Sequence, residues 1–303
     1  MDLRQLRQFV AVAEELHFGR AADRLNMTQP PLSQAILALE RDLGVRLFTR
    51  TKRAVALTPV GAQWLEHVLA LLADAAALPG IARRLAAGES GFLSIAFVST
   101  ADYSVLPDLV SRYATTYPEV RLTLREATSD LQIEALLNGE IQAGLIIPPP
   151  HASLHAALDY RPLLREPLVA AVPETWLSSG RVACRGGALP LDQLSDAPLI
   201  LFPRRSAPAF HDIVTGCFAA RGIRPRMGQE AVQMQTIVSL VAGGMGFALV
   251  PRSLRNLGRT GVAYLDLSSD APVIETGLVW RRDDDSPTLR RFLEIATAQR
   301  PSK

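Results

Sequence analysis

The chain has 303 residues, of which 48% are hydrophobic and 20% charged, with a formal net charge of +2. This composition excludes a disordered chain, allows a small head plus one or two α/β domains with real cores, and leaves any basic character local rather than global. The opening Met-Asp-Leu-Arg-Gln-Leu-Arg-Gln lacks the apolar run of a secretion signal, and no stretch approaches the roughly 20 uncharged apolar residues of a membrane span, so a cytoplasmic protein without a membrane partner is expected.

In chain order, Leu3, Leu6, Phe9, Val10 and Ala13 recur at helical spacing and form one apolar stripe. Ala21, Ala22 and Leu25 repeat the pattern over two turns, with alanines small enough for close approach, before a break at Asn26-Met27. Thr28 then suits an N-cap, with Pro30 and Pro31 in a first turn where a missing N–H costs little. Leu32, Ile36, Leu39 and Leu43 give this third helix a buried face, and Gly44 stops it as a C′ glycine does. Three short amphipathic helices at this spacing predict a helix-turn-helix. Gln29, Ser33 and Gln34 point away from the apolar face, where short polar side chains can read base edges in a major groove. Between Leu43 and Pro59 the chain carries Arg46, Arg50, Lys52 and Arg53 and no acid, which suits phosphate contacts from a hairpin.

These residues carry a resemblance. Phe9, Ala21-Ala22, Leu25, Thr28-Gln29-Pro30-Pro31-Leu32-Ser33, Leu39-Glu40, Leu47-Phe48, Arg50 and Leu57-Thr58-Pro59-Val60-Gly61 occur in order, and the stretch resembles the LysR-type transcriptional regulators. The resemblance implies a sequence-specific DNA-binding regulator controlled by a small molecule: a winged helix-turn-helix at 1–58, a linker and dimerisation helix at 59–88, and an effector-binding domain at 89–303. Base readout is expected from Thr28, Gln29, Pro30, Pro31, Ser33 and Gln34, and backbone contacts from Arg50, Lys52 and Arg53. Double-stranded DNA, RNA polymerase and further copies of the chain, as a homodimer and then a homotetramer, are the expected macromolecular partners.

From Val60 through Trp64, Leu65, Val68, Leu69, Leu71 and Leu72 to Ala76 runs a long helix whose apolar face calls for its own copy as partner. Pro79-Gly80 falls inside it, at a cost of about 3 kcal/mol in a helix interior, which predicts a kink or break near Leu78 with Ile81 to Ala87 as a second piece. Beyond Gly88-Glu-Ser-Gly91, strands at Leu93–Val98, Val120–Arg125 and Ala143–Ile147 alternate with helices at Ser104–Tyr117 and Asp130–Asn138. This order predicts a mostly parallel, doubly wound sheet. A second run from Pro162 holds strands at Leu168–Val172 and Leu199–Phe202 and helices at Phe210–Ala220 and Gln233–Ala242; the chain then returns through Gly277–Trp280 to a last helix at Thr288–Ala298. The fold class is therefore α/β, with two lobes about a cleft, lobe I at about 92–161 and 268–303 and lobe II at about 162–267; the resemblance implies the same picture, an effector domain like periplasmic binding proteins.

Ligands of open α/β folds bind beyond the carboxyl ends of strands, often at helix N-termini. Ser99, Thr100 and Thr128 stand at such ends, and their hydroxyls suit a small carboxylate; the Leu-Ile-Leu-Phe-Pro at 199–203 resembles family members that respond to aromatic acids, which implies an aromatic or other small carboxylate. Taken alone they read sooner as ordinary N-caps, and the resemblance is what implies that they are effector contacts. Phe202-Pro203 is the expected opposite wall, and Asp102 counts against an anionic effector if it faces the cleft. Gly243-Gly244-Met245-Gly246 lacks the Lys-Ser/Thr of a phosphate loop and reads as a turn; His151 and His155 sit in a Pro-rich loop, and Asp283-Asp284-Asp285 reads as a solvated turn. Cys184 and Cys217 are too few for a disulfide framework and too far apart for a metal knuckle. No Gly-x-Ser-x-Gly elbow supports hydrolysis, so no enzyme, cofactor or metal is expected. The alternative function is a cytosolic or transport-linked small-molecule binding protein, against which the basic head argues.

Overall fold

The computed structural model describes residues 1–51, 54–149, 153–268 and 271–298, and divides into two units, Met1–Arg83 and Arg84–Lys303. Lys52, Arg53 and His151 lie outside the described residues.

The first unit opens with α1 (Leu3–Glu15), started by a capping box in which Gln5 N–H donates to the Asp2 carboxylate at 2.8 Å and Asp2 N–H to Gln5 Oε1 at 3.0 Å. After α2 (Phe18–Arg24) comes α3 (Gln29–Leu43). Thr28 takes the N-cap position, but its side chain makes no capping bond; the prolines of the first turn start the helix instead. Gly44 ends it in the left-handed conformation, at φ 72°. Strands β1 (Phe48–Arg50) and β2 (Val55–Leu57) form an antiparallel hairpin, followed by α4 (Pro59–Ala87). Phe9, Leu32, Ile36, Leu39 and Leu47 have no exposed surface, and Val68 of α4 joins the same core.

Helix α4 corrects two expectations. It runs unbroken through Pro79 over 29 residues. The proline removes one backbone bond, and the remaining turns on either side keep theirs. The helix is also finished by a Gly88 turn at φ 71° and by Arg291 Nε, which donates to Ala87 O at 3.0 Å. Composition and length, with a mean hydropathy of 1.5 over its most apolar stretch, make α4 long and apolar enough to cross a membrane. Trp64, Leu65, Val68 and Leu72 instead pack on the core of the first unit, while Val60, Leu69, Leu71, Leu78, Ile81 and Leu85 stay exposed.

The second unit begins with β3 (Ser90–Phe97), a single helical turn at Ala101–Tyr103, α5 (Val105–Thr116), β4 (Glu119–Glu126), α6 (Ser129–Leu137) and β5 (Ala143–Ile146). The 16-residue β6 (Leu158–Pro173) then leads to α7 (Glu174–Ser178), β7 (Pro198–Leu201), α8 (Pro208–Ala219), β8 (Arg226–Glu230), α9 (Met234–Ala242) and β9 (Ala248–Pro251). The chain closes with β10 (Val262–Asp266), β11 (Val273–Arg281) and α10 (Pro287–Thr297). The main sheet has the order β10-β6-β11-β5-β3-β4, with β9 also on β6, and β7 pairs separately with β8. In the main sheet β4-β3-β5 pair in parallel and the other named pairs are antiparallel, so the expected mostly parallel sheet is mixed. The reason is the returning strand: β11 lies antiparallel between β5 and the first part of β6, whose second part pairs with β9 and β10. One long strand thus carries the chain from one half of the sheet to the other.

Asp284 also departs from a solvated turn. Its side chain is 7% exposed, pairs with Arg281 and accepts Ser286 N–H at 3.1 Å.

Candidate functional site

Amphipathicity divides α3 cleanly. Leu32, Ile36 and Leu39 are sealed in the core, while Gln29, Pro30, Pro31 and Gln34 are exposed and Ser33 half-buried. Leu37, which periodicity leaves unassigned, is 45% exposed on the same outer surface. A helix that offers amides, a hydroxyl and one apolar side chain has the groups needed to read base edges and thymine methyls.

The hairpin is held to this helix by Glu40. Its Oε1 accepts from Leu47 N–H at 2.8 Å and Phe48 N–H at 3.0 Å, and its Oε2 lies 3.3 Å from Arg50 Nη2. Arg50 also stacks over the Phe18 ring at 4.6 Å and reaches Ser33 Oγ at 3.4 Å. Expected as a phosphate anchor, Arg50 is therefore already engaged inside the unit, because a carboxylate and an aromatic face stand where its guanidinium falls. Thr58 fixes the far end of the hairpin, donating from Oγ1 to Arg46 O at 2.8 Å and accepting Gly61 N–H at 2.9 Å. Gly61 has no room for a Cβ, which would overlap the Leu47 carbonyl oxygen.

In the second unit, a cavity of about 670 Å³ opens beyond the carboxyl ends of β3, β4 and β7. That volume suits a small organic molecule. Ser99, Thr100, Thr128 and Phe202 line it together, as expected. Pro203 does not line it; its carbonyl accepts Ser206 N–H at 2.9 Å and Ala207 N–H at 3.1 Å, a turn that brings Arg205 to Ala207 onto the wall. Phe202 and Phe210 pack edge to face at 5.4 Å, and with Ile133, Ile147 and Val232 they make most of the wall apolar.

Two polar features stand out against that wall. Thr100 is 3% exposed and its Oγ1 has no hydrogen-bond partner. Thr128 precedes α6 with its hydroxyl unused as a cap, next to the free N–H groups of the first turn. Gln132, with no exposed surface, holds this corner by donating to Ala127 O at 2.8 Å and Leu145 O at 3.1 Å. Beside the cavity, Ser99, Glu126 and Gln233 are shared with a smaller polar recess that adds Asp102 and Tyr103. Burial pushes the Glu126 carboxyl up from its ordinary range, and the charge of Asp102 adds to the effect. Asp102 does face this region.

Residues 3–62 match the family described as "Bacterial regulatory helix-turn-helix protein, lysR family", and residues 86–301 match the "LysR substrate binding domain". The chain belongs to the LysR family. It is a LysR-type DNA-binding transcriptional regulator with an effector-binding domain. It is 61% identical to the HTH-type transcriptional regulator IlvR of Caulobacter vibrioides over 98% of each chain. It is 38% identical to AlsR of Bacillus subtilis, over 99% of this chain and 96% of that one. Among solved structures, full-length CbnR complexed with its target DNA is 31% identical, with a TM-score of 0.80 and 99% of each chain covered.

Glu40, Thr58 and Gly61 belong to the LysR motif, and the structure shows why they stand there: they hold the hairpin rather than face outward. Glu126 could have been found by the strand-end rule applied to β4. Gln233, the N-cap of α9, stands at a helix N-terminus and could have been found the same way, whereas Arg205 carries no such signal, since it lies in an irregular segment brought to the cavity by the turn before α8.

Proposed function

We propose that this regulator reads operator DNA through α3 and responds to a small carboxylate, aromatic or otherwise, held at Ser99, Thr100, Thr128 and Phe202. The single observation behind the effector reading is the cavity beyond the strand ends, whose lining residues include Thr100 with its buried and unpartnered Oγ1. The exposed stripe of α4 is the dimer seam, the homodimer pairs further into a tetramer, and RNA polymerase is the target of the response. The boundaries proposed are 1–58, 59–88 and 89–303, with the two lobes meeting at the cavity. Work on DNA places the protein in the cytoplasm, and no catalytic role is assigned.

Regulation is a population shift between lobe and subunit arrangements. Moving such an equilibrium from 1:99 to 99:1 requires about 10⁴-fold tighter binding to one arrangement.

The direct test is fluorescence anisotropy with labelled duplex from the protein's own upstream region, against scrambled competitor, over a salt series. Specific binding with a steep negative salt slope is expected; equal affinity for the scrambled duplex would count against the reading. Gln34→Ala and Gln29→Ala should each weaken operator binding by roughly 10- to 100-fold, the value of a good base contact, and leave the salt slope unchanged. Arg53→Ala should instead lower affinity on all sequences and reduce the slope by about 0.9. Thr128→Val should weaken effector binding roughly tenfold without altering DNA affinity, because it removes one hydrogen bond to a charged group.

A further inference from the structure

We propose that the effector carries a protonated amine as well as its carboxylate, an α-amino acid with an apolar side chain, and that Asp102 and Glu126 receive the ammonium group. The inference rests on the cavity being the effector site and assigns the chemistry of its occupant.

Charge is the first ground. The cavity and its polar recess together present Asp102, Glu126 and Asp130 against one guanidinium, Arg205. Neither Asp102 nor Glu126 forms an ion pair among the described residues. Glu126 has one weak contact, with Gln233 Nε2 at 3.4 Å, and the neighbouring Arg125 turns to Glu140 instead. A bare carboxylate placed beside Ser99 and Thr100 would meet these acids without compensation, and their repulsion opposes it. An ammonium on the same molecule turns it into attraction.

The second ground is independent of the acids. Thr100 lines the apolar cavity with its Oγ1 buried and unpartnered among the described residues, and Thr128, at the N-terminus of α6 with its hydroxyl unused as a cap, lines the same cavity. A buried hydroxyl without a partner is unfavourable unless a ligand supplies one. Together these donors suit a carboxylate, the acids suit an ammonium, and Phe202, Phe210, Ile133 and Val232 suit an apolar body. The Glu126 carboxyl is raised first by burial and then by the charge of Asp102, as expected where two acids lie close without a cation between them.

Isothermal titration of the full-length chain would test this with matched probes. Each apolar L-amino acid is compared with its deaminated acid and its decarboxylated amine, as in L-phenylalanine, 3-phenylpropanoate and 2-phenylethylamine. The best amino acid should bind at least tenfold more tightly than either counterpart. In an Asp102→Asn, Glu126→Gln double variant with an unchanged melting temperature, that preference should disappear, and the deaminated acid should bind better than it does to the parent. A deaminated acid that binds the parent as tightly as its amino acid overturns the inference and leaves the cavity reading intact. So does a double variant that keeps the preference. If no probe binds either protein, the cavity reading falls and the inference with it.

Discussion

Replacing Glu40 with alanine is expected to lower the stability of the DNA-binding unit by about 3 kcal/mol. One carboxylate, 11% exposed, accepts two backbone N–H groups and faces the guanidinium of Arg50. Leu47 is fully buried and Phe48 3% exposed, so water cannot readily replace the lost acceptor at either amide. Each stranded donor costs about 1–3 kcal/mol, more than the partly exposed ion pair itself contributes. Glu40→Gln should therefore be milder, near 1 kcal/mol, since its amide oxygen can still accept. Arg50→Ala should fall in the same range as that conservative change. Hydrogen exchange measured on peptides covering residues 44–51 and 54–58 should show the hairpin opening in Glu40→Ala before α1 and α2 do. Equal exchange in variant and parent would show that other contacts hold the hairpin, and DNA affinity should then be unchanged as well.

The same residue shows what can be read from the chain. Helices α1 to α3 are legible because 3.6-residue periodicity and terminal signals agree: an N-cap position before the prolines, a glycine after Leu43. Glu40 is visible as a motif residue, but its role is not, because its partners lie seven, eight and ten residues on, beyond the reach of helical periodicity. The contacts of Arg50 within the unit are hidden for the same reason. A basic residue in a hairpin reads only as a phosphate contact until Glu40 and Phe18 are placed beside it.

In the second unit, strands with continuous apolar runs or apolar–polar alternation are legible, and those with neither are not. Strand β8, Arg-Met-Gly-Gln-Glu, offers no alternation, and its pairing with β7 comes from the long-range fold. The strand-end hydroxyls at 99, 100 and 128 come together as expected because strand ends converge in an open sheet. The acids of the polar recess needed the structure, since only there do Asp102, after β3, and Glu126, ending β4, share one pocket. Pro79 teaches the opposite lesson. A local penalty of about 3 kcal/mol does not break a helix that keeps its other bonds over 29 residues and is fixed at its end.

Gly246→Ala should be the most damaging single-methyl change in the second unit, lowering its stability by about 3 kcal/mol or more. The glycine enters β9, where Phe247 N–H donates to Pro198 O at 2.9 Å and Ile200 N–H to Phe247 O at 2.8 Å. Those bonds draw the two backbones so close that a Cβ at 246 would overlap the Pro198 carbonyl oxygen. The obstacle is main chain rather than a flexible side chain, so relief requires parting β9 from β7. Phe247, Leu199 and Ile200 have no exposed surface, and that separation would open the core behind the cavity. Gly244→Ala provides the control. It lies two residues earlier at φ 77° with nothing near its would-be Cβ, so it should lose only the left-handed backbone penalty of about 1–2 kcal/mol. For a unit of this size, each kcal/mol moves the melting temperature by about 2–4 °C. Calorimetry of the full chain should thus show a drop of roughly 6–12 °C or more for Gly246→Ala and about one- to two-thirds of that for Gly244→Ala. If the two variants melt together, the close approach at 246 is not what shapes this corner, and the glycine run is a turn whose residues are interchangeable.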